Sequence, residues 1–247
     1  MTDARPVASS GRPLSETGRE YHLSAVGFVD TLGAKALSES EVFMNALAYM
    51  VSLQKEISLQ PHKTIAVRTT YFSDNIGASI VIENLDAANQ KKAVQKLLRL
   101  LAVIQVHYLS RSGILCRGGV AIGDCFHDDN VIFGPALVAA YLLELTAETP
   151  RIVVTDAVVD LAGDTTVPLF TAEPLRSQGD GTAELLRSID FIRAELPSSA
   201  KSRNVYIAQL EAMIKNGLAD APNAGVKQKW QWTSDKVAAV KDELAKP

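Results

Sequence analysis

Short apolar runs alternate along the chain with stretches in which apolar residues recur every three or four positions, and this alternation outlines the elements. Residues 23–29 form an apolar run read as a strand, closed by Asp30. Over 34–57, Leu37, Val42, Ala46, Met50, Val51 and Leu53 keep helical spacing. Residues 64–72 and 76–83 are β-rich and separated by Ser73, Asp74 and Asn75, which is a hairpin signature. Asp86 opens a second long helix in which Val94, Leu97, Leu98, Leu101, Ile104 and Tyr108 repeat, and Ser112 and Gly113 end it. Residues 114–122 read as a strand, His127 to Asn130 as an exposed turn, and Gly134-Pro135 as the start of another helix. The order β-α-β-β-α-β predicts an α+β fold of ferredoxin-like arrangement.

Beyond Pro150, residues 151–155 form a further apolar strand, and Asp156 caps a short helix ending near Gly163. A polar break at 177–182 precedes two stretches, 183–218 and 228–241, read as mostly helical. The expected organisation is therefore a flexible segment over 1–20, a main folded domain over 21–180 and a C-terminal helical appendage over 181–247. The lead-in carries Pro6, Ser9, Ser10, Gly11 and Pro13 with no apolar period.

With 247 residues and 47% hydrophobic content the chain is long enough for one well-buried domain with appendages. A net charge of −3 gives no basic excess of the kind that tracks a nucleic-acid backbone, so polymeric nucleic acid is not an expected partner. No uncharged run reaches membrane-spanning length, and a cytoplasmic protein is expected. Cys116 and Cys125 are too few for a disulfide framework and sit among packing residues. Cys125 and His127 lack a second pair with which to hold a metal.

Two carboxylates then change the picture. Asp30 closes the first strand and Asp74 sits at the tip of the hairpin; the ferredoxin-like order brings both to one edge of the sheet. A charge ending a buried strand is costly unless it is paired or holds a cation. Hard divalent ions take oxygen ligands, so Asp30 and Asp74 are candidates to share two Mg2+ or Mn2+ ions in phosphoryl chemistry. Thr31, Leu32, Gly33 and Ala34 lie between strand and helix, where backbone N–H groups can face a triphosphate. Lys35 either reaches a phosphate or is solvated.

Around these residues the chain resembles the class III nucleotide cyclases. Phe28-Val-Asp-Thr-Leu-Gly33 is similar to that family's first metal motif, and Ser73-Asp74 falls at its second. Arg117 to Gly123 and Phe133-Gly-Pro-Ala136 match its later strand and helix start. The resemblance implies that Asp30 and Asp74 ligate both ions, that Thr31 adds its backbone carbonyl, and that the enzyme is a homodimer with sites between subunits. The ribose 3′-hydroxyl would attack the α-phosphate and release pyrophosphate. Purine cyclases carry an Asn and an Arg where this chain has Val138 and Leu142, a purine-reading Lys where it has Thr70, and a base-selecting Asp where it has Val131. A narrower likeness, covering most of 21–240, is to the bacterial Pycsar pyrimidine cyclases, through Thr69 to Asn75, Phe133 to Tyr141, Pro150 to Val154 and Lys229-Trp-Gln-Trp232. It implies cyclic UMP or cyclic CMP made from UTP or CTP during phage infection, with a separate effector activated by the product.

Tyr71 is the candidate for base contact, with a packed sheet tyrosine as the alternative. Phe28 either lies under the nucleotide or is core. Arg117 is the candidate cation for the α-phosphate, in competition with Arg68 and Lys35. Tyr141 and Glu144, one helical turn apart, either line the same cleft or lie on a helix surface.

Overall fold

In the computed structural model, residues 20–33, 66–163, 170–174 and 185–246 are described, together with 41, 44–46, 48, 49 and 52. Strand β1 (His22–Thr31) lies between two antiparallel partners, β3 (Asn75–Val81) and β4 (Cys116–His127). β2 (Val67–Phe72) joins β3 through a tight turn in which Ser73 takes a left-handed φ of 58°. The hairpin and the β-α-β-β-α-β order thus form as the sequence indicates. The helix expected over 34–57 is described only at the seven residues from 41 to 52, all helical, and the segment 1–19 lies outside the described residues.

Helix α1 (Ala87–Ser112) fills one face of the sheet. Asp86 caps it by accepting from Asn89 N–H at 2.8 Å, and Gly113 ends it in the left-handed region, where an L side chain is strained. Leu97, Leu98, Leu101, Ile104 and Leu109 are buried on its inner side, each contributing about 1.5–3 kcal/mol of transfer free energy. Gly27 gives Leu101 its seat, since an added Cβ would lie 2.7 Å from the leucine methyl. Helix α2 (Pro135–Thr146) covers the opposite face, lying on Gly119, Ala121 and Gly123 of β4. Pro135 stands at its first turn, where no donor is lost. The two free cysteines are buried, as the packing reading requires.

The C-terminal third departs from expectation. The sheet order is β2-β3-β1-β4-β6-β8-β7, with β5 (Ile132–Phe133) pairing β4 alone. β6 (Ile152–Val154) runs parallel to β4, and a hairpin of β7 (Phe170–Pro174) and β8 (Leu185–Ile189) adds to it. The stretch 183–218, read as mostly helical, therefore begins with a strand. The sequence Leu185-Leu-Arg-Ser-Ile189 fits either period, and pairing of Val153 and Val154 with Ser188 and Arg187 decides between them. Short helices α3 (Asp156–Ala162) and α4 (Phe191–Ala194) precede the helical pair α5 (Ala200–Ala219) and α6 (Ala224–Leu244). So the sheet continues past residue 181, and the helical appendage proper is α5 and α6. Ile207, Leu210 and Ile214 of α5 and Trp230, Val237 and Val240 of α6 join the core on the α1 side. Trp230 seats against Gly217, where a Cβ would come within 2.1 Å of the indole. Arg193 ties α4 to α6 by pairing with Asp190 and with Glu243, the latter at 2.6 Å.

Candidate active site at the end of the central strand

Alternation along β1 divides its residues cleanly. Val26 packs with Ala136, and Phe28 packs with Ala121 and Ala140, so even-numbered residues face α2. Asp30 continues this series. It stands opposite Asn75 in β3 and Arg117 in β4. Because Asp74 precedes Asn75 in the turn, both acidic candidates come to the same sheet edge, and the charge of Asp74 raises the pKa of Asp30.

Arg117 is the organising cation. Its Nε lies 3.4 Å from Asp30 Oδ2 and also pairs with Glu144, while one terminal nitrogen donates to the Ala147 carbonyl at 3.2 Å. Glu144 is 2% exposed, so α2 carries a buried carboxylate onto the strand arginine. Burial lifts both Asp30 and Glu144 above the usual carboxylate range, against the pull of Arg117. Of the alternatives for Glu144, helix surface is thereby excluded. Tyr141, one turn back, is 44% exposed and meets the Phe28 ring edge-on at 5.5 Å, and Phe72 lies tilted to the same ring at 6.1 Å. Phe28 is itself buried, so it is core and lies against this aromatic wall.

The donor set fits hard divalent ions. Among the described residues no cluster of three or more His, Cys, Asp or Glu side chains forms a closed cage. Two adjacent carboxylates are what Mg2+ or Mn2+ requires when water and substrate phosphate complete the shell. Asn75 Nδ2 reaches Asp74 Oδ1 at 3.4 Å.

Other candidates are placed differently. Thr31 turns its buried side chain to the α1 face, and its hydroxyl has no hydrogen-bond partner among the described residues. The Leu32 N–H is committed to the Leu115 carbonyl at 2.8 Å, which removes one of the amides expected to face an anion. Gly33 has φ +82° with open space where a Cβ would stand, and Ala34 and Lys35 lie outside the described residues. Tyr71 falls out of step with Thr70 and Phe72. It therefore packs on the α1 side near Tyr108, away from Asp30, and burial raises its hydroxyl pKa.

The His127 to Asn130 turn is more than an exposed loop. His127 Nε2 bonds the Thr70 hydroxyl at 2.9 Å and Nδ1 bonds the Ser79 hydroxyl at 2.7 Å, while Arg68 donates to the His127 carbonyl at 2.8 Å. Burial and Arg68 push the imidazole down to about 4, so it is neutral at pH 7. Its ring nitrogens are thereby engaged without a metal. The signal for this was positional, since His127 lies two residues beyond Cys125 on the α2 face of β4. Val138 and Leu142 are 56% and 55% exposed on the outer side of α2.

No protein-family model matches the sequence, and no curated protein matches it. Solved structures do. The catalytic core of a rhodopsin-guanylyl cyclase with converted specificity, in complex with ATPαS, superposes with a TM-score of 0.50 at 13% identity, over 69% of this chain and 96% of that one. The adenylyl cyclase CyaB from P. aeruginosa gives 0.49 at 17% identity over 69% and 94%, and an adenylate/guanylate cyclase/hydrolase from Silicibacter pomeroyi gives 0.48 at 21% over 73% and 99%. The α+β fold is that of the class III nucleotidyl cyclase catalytic core.

Proposed function

We propose that this chain is a nucleotide cyclase that converts UTP, in preference to CTP, to the 3′,5′-cyclic monophosphate and pyrophosphate. The observation that carries the reading is the meeting of Asp30 and Asp74 at one edge of this fold. Divalent ions held by these carboxylates would acidify the ribose 3′-hydroxyl and offset phosphate charge. Arg117, already beside Asp30, is the guanidinium available to charge building on the α-phosphate. The aromatic wall of Phe28, Phe72 and Tyr141 gives the nucleoside an apolar surface, a task that Tyr71 is badly placed to share. Thr70 holds a fixed neutral hydroxyl against His127 where a purine reader has a mobile cation, which supports a pyrimidine substrate.

Homodimerisation is supported by α2. Val138, Tyr141, Leu142 and Leu145 follow at i, i+3, i+4 and i+7, and all are at least 44% exposed. Such an apolar stripe on a surface helix is costly unless a partner covers it. On the likeness to the Pycsar cyclases, the product acts in the cytoplasm on a separate effector as an anti-phage signal. Among the described residues no helix is long and apolar enough to cross a membrane.

A second reading, a nucleotide-binding dimerisation module without turnover, is favoured by Val138 and Leu142 in place of polar side chains and by the Arg117 lock on Asp30. The deciding experiment incubates the protein with Mn2+ and each ribonucleoside triphosphate and separates products against cyclic nucleotide standards. Cyclic UMP, lost in Asp74→Ala at unchanged melting temperature, is the expected result. Cyclic AMP or GMP would overturn the base assignment, and thermal stabilisation by UTP without product would establish the binding module.

A further inference from the structure

We infer that Lys229, on α6, is the cation that receives the distal phosphates of the triphosphate, which makes the C-terminal helical pair part of the active site. The inference rests on the cyclase reading and assigns a residue outside its metal edge. A cavity of about 480 Å³ opens between the helical pair and the turn that follows β1. Leu32 and Gly33 line one side of it, and Lys229, Gly217 and Trp230 line the other.

Two features of the loop call for such a group. The Leu32 amide is already bonded to Leu115, so the backbone offers fewer donors to an anion than an open strand-to-helix turn would. Gly33 leaves the space beside the turn open. The other cation of the cavity, Arg111, is engaged elsewhere, since it stacks 4.4 Å over the Tyr49 ring and its Nε bonds His107. Lys229 is half-buried, and no carboxylate among the described residues forms an ion pair with it. Asp220 is the acid in the wall, and it disfavours an anion at that end. Leu32 lies two positions beyond Asp30, so this cavity adjoins the metal edge.

The rotation of α6 that sets this direction is fixed. Trp230 is buried in the notch made by Gly217, and Thr233 donates to the Lys229 carbonyl at 3.0 Å. With Trp230 seated there, the neighbouring Lys229 leaves the helix on the side that lines the cavity. An ammonium held at such a wall serves phosphate as a point charge, with its flexible stem adjusting to the oxygens.

The test is titration calorimetry with inorganic tripolyphosphate and Mg2+, using the full chain and its Lys229→Gln, Lys229→Arg and Lys227→Gln variants. Lys227 lies on the same helix and is exposed, so it controls for net charge. A charge-assisted phosphate contact predicts that Lys229→Gln weakens binding by about tenfold, that Lys229→Arg retains most of it and that Lys227→Gln matches the parent. Equal affinity for the parent and Lys229→Gln, equal losses from Lys227→Gln and Lys229→Gln, or no binding by the parent would each overturn the assignment. Because no nucleoside is present, these results are independent of whether the parent forms a cyclic product, which tests the cyclase reading by itself.

Discussion

Replacing Gly119 by alanine tests how tightly α2 is clamped to the sheet. An added Cβ would lie 2.1 Å from the Ala140 carbonyl oxygen and 2.6 Å from Leu143 Cβ. The first of these neighbours is helix backbone, so no rotamer relieves the clash; α2 must lift by about 1 Å. Overpacking of this kind costs about 1–3 kcal/mol, and a backbone obstacle places Gly119→Ala near about 3. Loss of glycine freedom in the unfolded chain returns up to about 1 kcal/mol, leaving a net loss of about 2. For a chain of this size that is a fall of about 4–8 °C in melting temperature. Gly123 on the same face is the control, since its added Cβ would meet Ala136 Cβ at an ordinary 3.4 Å. Thermal denaturation of both variants should show a clear loss for Gly119→Ala and little change for Gly123→Ala. Equal melting temperatures would refute the argument that backbone approach at Gly119 fixes the helix.

Three further outcomes follow from the site. Arg117→Ala should destabilise the fold by about 3 kcal/mol because it strands the buried Glu144 carboxylate, and Glu144→Gln added to it should restore much of that; additive losses in denaturant unfolding would show that the pair is not coupled. His127 is held at about 4 in the fold against about 6.5 unfolded, so its contribution is complete above pH 6.5 and is lost as pH falls toward 4. Discounted for partial exposure, this amounts to about 1–2 kcal/mol between pH 7 and pH 4. The difference between the parent and His127→Gln across that range isolates it from Asp30 and Glu144, and parallel pH profiles would remove it. Leu142→Glu should shift the protein toward monomer in sedimentation, whereas a parent that sediments as a monomer would remove the stripe as an interface.

The core of the fold was readable because its elements carry their own signals. α1 has an Asp cap, a three-and-four apolar repeat and a terminal glycine, and the β2–β3 turn has a Ser-Asp-Asn sequence. β8 had no such signal, since its residues serve either period and its partners lie in β6. The acidic pair was legible for a related reason: each carboxylate ends an element whose type was clear. The burial of Glu144 and His127 is not visible along the chain, because it comes from contacts with other elements, with Arg117 for the first and with Thr70 and Ser79 for the second. Tyr71 was ambiguous by a single step of alternation, and only cross-strand register fixes its side. Lys229 stood in a recognised Lys-Trp-Gln-Trp run, but its direction depends on Trp230 meeting Gly217, thirteen positions away in another helix.

The pairing of β1 with β4 sets a schedule for synthesis. His22 is matched to Cys125 and Thr31 to Cys116, so the central strand is translated well before the neighbour that covers its second edge. At ribosomal rates, about 100 residues of delay corresponds to roughly 5–20 s during which β1 waits for that neighbour. Residues 24–29 carry no charge, and in that interval they are an exposed β-prone segment of the kind that self-associates. His22 and Asp30 bracket it, so the carboxylate that later meets Arg117 first stands guard over a nascent chain.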